Sequence, residues 1–191
     1  MHRNIWMLAA VSRAVVTAAI GLSHLPPQKT VIFGDSIVNS LSSNLLKTDV
    51  SNHSVDGATT AHIAEIVSNY RIETNFRNVR QVVVEGGIND LLQGNRESIG
   101  RSYQSVLGTV PDITPVLIIG ILPFDPIRIR IDPSEIDSAN HQISEICSTH
   151  ANCKFMQPMG RTISPEMLSD GLHLKADGIR ALAARLREQL R

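Results

Sequence analysis

Four short stretches of this chain carry side chains able to make and break bonds. They are Gly34-Asp35-Ser36, Asp56-Gly57-Ala58-Thr59-Thr60, Gly86-Gly87-Ile88-Asn89-Asp90 and Asp170-Gly171-Leu172-His173. Ser36 is a hydroxyl nucleophile once a base takes its proton. His173 is such a base. It stands three residues after Asp170, so one turn can hold both, with the carboxylate orienting the ring and Nε2 facing a serine. The backbone N–H groups of Ser36 and Gly57 and the Asn89 amide are donors that could meet a developing oxyanion. Each stretch alone has a plainer reading. Ser and Asp cap helices, Gly57 suits a turn, Gly-Gly-x-Asn-Asp suits a loop, and an exposed histidine in a loop needs no function. Together they supply a nucleophile, a base, an orienting acid and three oxyanion donors, which is the set acyl transfer demands.

Those stretches need a scaffold that brings them to one place, and the apolar pattern supplies one. Thr30–Phe33, Val50–Val55, Gln81–Glu85, Pro115–Leu122 and Lys154–Met156 read as strands. Ser36–Lys47, Thr59–Tyr70, Glu97–Leu107, Pro133–Thr149 and Lys175–Leu190 read as helices, the last with Ile179, Leu182, Ala183, Leu186 and Leu190 on one stripe. Fully apolar strands alternating with helices indicate a parallel sheet covered on both faces. Such sheets carry function in the loops after the carboxyl ends of their strands. All four stretches follow predicted strands or lie in a loop beside them.

Composition excludes other classes. The 191 residues make one domain, and eighteen basic residues balance eighteen acidic ones. A general nucleic-acid binder needs a basic surplus. Aromatic residues at 4% are too sparse for a base-stacking platform. His53, His62, His141 and His150 lack partners at metal-ligand spacing, so no metal and no cofactor is expected. Residues 1–28 stand apart from the domain at 29–191. Ile5 to Leu22 is apolar but for Arg13, which would cost about 2.5–3.5 kcal/mol at the centre of a membrane span. The segment reads as a secretory signal cleaved near Gly21-Leu22-Ser23, an uncleaved anchor, or a helix docked on the domain; the signal fits best, and with it an exported location. A membrane partner follows only from the anchor reading. Cys147 and Cys153 are either inert thiols or, in an exported chain, a small disulfide loop. Arg128 and Arg130, in Ile127-Arg128-Ile129-Arg130-Ile131, read as solvated side chains of an extended segment, with the alternative that one selects an anionic substrate.

The chain resembles the SGNH hydrolases, the GDSL esterases and lipases. Phe33-Gly34-Asp35-Ser36-Ile37-Val38 resembles the family's first block with Ile for Leu. Gly57 resembles the second, Gly87-Ile88-Asn89-Asp90 the third, and Asp170 to His173 the last. Leu174-Lys175 departs from the proline many members carry after the histidine. The resemblance implies a three-layer, flavodoxin-like α/β/α sandwich with a five-stranded parallel sheet ordered 2-1-3-4-5. It implies Ser36, His173 and Asp170 as the catalytic residues, with the Ser36 and Gly57 N–H groups and Asn89 as the oxyanion hole. The expected activity is hydrolysis of small acyl esters, since no long apolar insertion is present to form a lid. The alternatives are acyl transfer to a sugar hydroxyl and a catalytically silent binding module. The expected partner is a small ester, with no nucleic acid; oligomeric state is not legible.

Overall fold

The apolar runs of the sequence assemble into one sheet. The computed structural model describes residues 28–158 and 163–190. The N-terminal stretch read as signal, anchor or docked helix lies outside the described residues. Strands β1 (Lys29–Phe33), β2 (Val50–Asn52), β3 (Val79–Glu85), β4 (Val116–Ile119) and β5 (Cys153–Met156) pair in the order β2-β1-β3-β4-β5. Every pairing is parallel. The helices are α1 (Ser43–Leu46), α2 (Thr60–Thr74), α3 (Ile88–Leu92), α4 (Arg96–Thr109), α5 (Pro133–Ser148) and α6 (Ala176–Gln189).

Both faces of the sheet's centre are buried, which is why β1, β3 and β4 are apolar at consecutive positions, whereas the edge strands β2 and β5 are only partly buried. Val31, Phe33, Val82, Val84, Val116 and Ile118 pack with side chains of α2, α4 and α5. The residues between them, Ile32, Val83, Leu117 and Ile119, pack with α1 and α6. The result is three layers. Registers Ile32↔Asn52, Phe33↔Val84 and Glu85↔Ile119 bring the carboxyl ends of β1 to β4 to one edge. Pro133 opens α5 behind an Asp132 cap that accepts the Ser134 N–H at 2.9 Å.

Four local expectations need correction. The strand expected over Pro115–Leu122 is confined to Val116–Ile119, since the Asn140 side chain takes both the N–H and the carbonyl of Ile121. The helix expected over Ser36–Lys47 shrinks to α1, because its first half is held by side chains. Asp35 Oδ1 accepts the Ile37 N–H at 2.9 Å, and the Asn52 amide donates to the carbonyls of Val38, Asn39 and Leu41. Carbonyls engaged this way have no need of helical partners. The regular ladder of the second strand stops at Asn52, whose side chain accepts the Ser54 N–H at 3.0 Å, although His53 and Val55 still donate to the Ile32 and Gly34 carbonyls. The Ile127–Ile131 segment is a turn and not an extended one: Asp125 accepts the N–H of Ile127 on its side chain and those of Arg128 and Ile129 on its carbonyl. Ile129 and Ile131 pack on the core, while Ile127 is 92% exposed. Cys147 at the end of α5 and Cys153 at the start of β5 are bonded, with Cα atoms 5.3 Å apart.

Candidate active site

Ser36 stands in the turn after β1, and His173 and Asp170 stand in the loop before α6. The fold brings them into one chain of hydrogen bonds. Ser36 Oγ lies 3.0 Å from His173 Nε2, and His173 Nδ1 lies 2.6 Å from Asp170 Oδ2. A carboxylate only accepts, so Nδ1 carries the ring proton and Nε2 is left to accept from the serine hydroxyl. Asp170 Oδ1 accepts the N–H groups of His173 at 2.8 Å and Leu172 at 2.9 Å. The His173 N–H first, then the imidazole and the Leu172 N–H, hold the Asp170 carboxyl well below the usual carboxylate range.

The loop that presents His173 is closed on itself and fastened at its back. Leu168 bridges Leu174, Ser169 donates its N–H to the His173 carbonyl, and Lys175 donates its N–H to the Met167 carbonyl. The Asp125 N–H donates to the Gly171 carbonyl at 2.7 Å. Gly171 has φ +96°, and a Cβ there would sit 2.8 Å from Arg128 Cβ. Only glycine satisfies both the backbone angle and the close approach.

Asn89, at the start of α3, lines the same cleft. Its amide donates to Asp35 Oδ2 at 3.1 Å and to the Ala58 carbonyl at 3.0 Å, so both of its protons are in use. Donating to an oxyanion requires it to share or exchange one of them. The backbone N–H groups of Ser36 and Gly57 have no acceptor among the described residues, and both residues line the cleft. Gly57, at φ +74°, occupies the turn after β2 that carries this N–H. Asp90, next to Asn89, is buried and accepts from Thr60 N–H, Thr60 Oγ1 and Ser98 Oγ, tying α3 to α2 and α4.

The cleft is about 580 Å³, lined by Ser36, Asn39, Ser40, Asp56, Gly57, Asn89, Leu92, Leu172 and His173. A second depression of about 530 Å³ between α3 and α4 is floored by Asp90, whose oxygens are already satisfied, and has no nucleophile aligned with a base. The structure thus brings Ser36, Gly57, Asn89, Asp170 and His173 together. Arg128 stands behind Gly171 with its guanidinium 3.5 Å from Asp125, and Arg130 is exposed; neither lines the cleft. Sequence reasoning passed over Glu85, which is fully buried under the site. An acid closing the run Val82-Val83-Val84 was the available signal. It also passed over Asn140, whose amide pairs with both the N–H and the carbonyl of Ile121 and braces the loop after β4.

No protein-family model and no curated protein sequence matches the chain. Solved structures do. A lipase/acylhydrolase from Enterococcus faecalis superposes with a TM-score of 0.71 at 21% identity, covering 85% of this chain and 95% of that one. A carbohydrate esterase family 3 protein from Talaromyces cellulolyticus gives 0.69 at 18% identity over 85% and 96%. A lipolytic protein of the G-D-S-L family from Veillonella parvula gives 0.68 at 17% identity over 84% and 97%. The chain has the α/β/α fold of the SGNH, or GDSL, hydrolases, with the sheet order the sequence resemblance implied.

Proposed function

We propose that this protein is a serine esterase that hydrolyses short acyl esters, with acetyl groups on a carbohydrate as the leading substrate class. The observation that carries the reading is the aligned series Ser36 Oγ, His173 Nε2, His173 Nδ1, Asp170 Oδ2, at 3.0 and 2.6 Å, beside two backbone N–H groups, of Ser36 and Gly57, that have no acceptor among the described residues. Ser36 Oγ attacks the ester carbonyl carbon as His173 Nε2 takes its proton. The negative oxygen of the tetrahedral intermediate is met by the N–H groups of Ser36 and Gly57 and by the Asn89 amide. The imidazolium, stabilised by Asp170, returns the proton to the departing alcohol. Water then attacks the acyl-enzyme through the same base, releasing the acid and restoring Ser36.

Substrate size follows from the cleft walls. Leu92 and Leu172 offer a small apolar patch for a short acyl chain, while Asn39, Ser40 and Asp56 offer polar groups to a hydroxyl-rich alcohol. The carbohydrate esterase among the structural neighbours supports the same substrate class. The half-exposed His173 and Asp170 are open to water, which favours hydrolysis over transfer. Arg128 and Arg130 stand outside the cleft, so Arg128→Gln should leave the ratio of rates on neutral and anionic acetyl esters unchanged. We further propose export, supported by the apolar segment before Leu22 and by the Cys147–Cys153 bond, which an oxidising compartment maintains. Mass spectrometry of the protein from its host should find a mature N-terminus near His24 and no free thiol.

The test is a panel of chromogenic and sugar esters of increasing acyl length, with wild type and Ser36→Ala. The expected result is turnover highest on acetyl esters, lost by about 10³-fold or more in Ser36→Ala at unchanged melting temperature. No turnover by the wild type would leave a binding module. Acylated sugar in place of free acid would make it a transferase.

A further inference from the structure

Beneath the cleft lies a second pair of acids that the mechanism above does not use. Glu85 ends β3 and Asp35 follows β1; both are fully buried. The register Phe33↔Val84 and the approach of Gly34 to the Glu85 carbonyl, 2.8 Å from where a Cβ would stand, set the Asp35 turn against the end of β3, so that each carboxyl group acts on the other. Among the described residues neither is in an ion pair with a lysine, arginine or histidine. The donors around them are unevenly shared. Asp35 Oδ1 accepts the Ile37 N–H and Oδ2 accepts an Asn89 amide proton. Neither Glu85 oxygen has a geometric hydrogen-bond partner among the described residues, and the Asp35 N–H nearby acts on it less than burial does. Two carboxylates in apolar surroundings cannot both keep a charge. The N–H donors on Asp35 keep the charge there, so the proton belongs on Glu85.

We propose that Glu85 is a neutral carboxylic acid donating to the Asp35 carboxylate, and that this pair is the positioning element of the oxyanion hole, holding the Asn89 amide and the Ser36 turn through Asp35. The proposal rests on the esterase reading, which it deepens. Asp35 binds one Asn89 proton firmly, and the other, on the Ala58 carbonyl, is the one available to an oxyanion. Loss of the Glu85 proton would put two charges side by side and loosen both grips of Asp35. Burial first, and the neighbouring Asp35 second, push the Glu85 carboxyl well above its ordinary range. The other ionisable groups acting on the pair are Asp90 from α3, Tyr103 from α4 and His173 from the loop before α6. Tyr103 donates its hydroxyl to the Gly86 carbonyl at 2.9 Å and is itself pushed up by burial and by Glu85. Ile37, Ile88, Leu122, Pro123 and Leu172 surround a small apolar void beside Glu85.

The test compares wild type, Glu85→Gln, Glu85→Leu and Tyr103→Phe. Glutamine keeps an N–H donor toward Asp35 and has no proton to lose. It should keep kcat within about threefold of wild type at neutral pH and extend activity to higher pH, whereas Glu85→Leu should lose kcat about tenfold or more with KM little changed. A second readout does not depend on turnover. The infrared difference spectrum between wild type and Glu85→Gln should contain a protonated carboxyl stretch at neutral pH. A folded-state pKa above the unfolded one means stability is full below the unfolded value near 4.3 and is lost as pH rises through the folded value. Glu85→Gln should therefore gain in melting temperature over wild type as pH rises. Absence of the carboxyl stretch overturns the pair, as does equal behaviour of the Gln and Leu variants. An alkaline limb removed by Tyr103→Phe and kept by Glu85→Gln overturns its role in activity. The carboxyl stretch without turnover of any ester would leave the pair standing and refute the esterase reading alone.

Discussion

Replacing Asp170 by asparagine tests the orientation of the base separately from the space the side chain fills. Asp170 Oδ1 accepts two backbone N–H groups, from His173 at 2.8 Å and Leu172 at 2.9 Å. Those donors admit only an oxygen, so an asparagine must seat its carbonyl there. Its NH₂ group is then turned to His173 Nδ1, where an oxygen stood at 2.6 Å. An NH₂ group cannot accept from Nδ1–H, so the imidazole changes tautomer and carries its proton on Nε2, 3.0 Å from Ser36 Oγ. A protonated Nε2 cannot take the serine proton. The expected loss is about 10³–10⁴ in kcat, or about 4–5.5 kcal/mol of transition-state stabilisation. Asp170→Ala leaves the ring free to choose its tautomer and should be the milder change. Asp170→Asn keeps an acceptor for both N–H groups and should hold the melting temperature, whereas Asp170→Ala loses it and should melt lower. Initial rates on a chromogenic acetyl ester, with thermal melts by circular dichroism, decide the matter. An asparagine variant keeping more than about a tenth of wild-type kcat, or faster than the alanine variant, would refute the tautomer argument.

Asn89→Ala should lower kcat by about 10²–10³ with little change in KM; a raised KM at constant kcat would make Asn89 a substrate-binding residue. Gly171→Ala introduces a Cβ 2.8 Å from Arg128 Cβ at φ +96°, and displacement of His173 should cost about tenfold or more in kcat. Wild-type rates in that variant would mean the loop relaxes freely. On the acid side, the Asp170 carboxyl held below its usual range contributes stability above the unfolded value and loses it as pH falls through the folded one. Asp170 therefore stays ionised through mildly acidic conditions, and a carboxyl titration followed by NMR should show no protonation of Asp170 in that range. Reducing the Cys147–Cys153 bond, which closes a loop with sequence separation 6, should remove about 2 kcal/mol and lower the melting temperature by about 4–8 °C, with room-temperature activity unchanged.

The parts of the site that could be read from the sequence are those where one residue type at one strand end has a distinct chemistry. Ser36, Gly57, Asn89 and the Asp170–His173 spacing each follow a recognisable apolar run or close a short turn. The sheet order was legible through the resemblance those residues carry. What escaped depends on polar side chains capping particular backbone groups, some of them nearby in the chain and some across the fold. The short α1 results from the Asn52 amide, 11 to 14 residues away from the carbonyls of Leu41 and Val38. The turn at Ile127 results from Asp125 capping the N–H groups that follow it, which overrides the alternation of isoleucine and arginine. Glu85 looks like the polar end of a strand until β1 places Asp35 beside it.

The Ser36–His173 hydrogen bond spans 137 residues of chain. The nucleophile leaves the ribosome long before its base is made. Every strand and the loop carrying His173 must be in place before the two meet. On the proposed mechanism Ser36 is thus an ordinary alcohol until His173 reaches it. A contact of such long range forms late, after the local helices and strand pairs. Recovery of ester cleavage after denaturation consequently reports completion of the whole fold, whereas far-ultraviolet ellipticity reports its earlier stages. A lag between the two signals measures the time the chain spends closing that last contact.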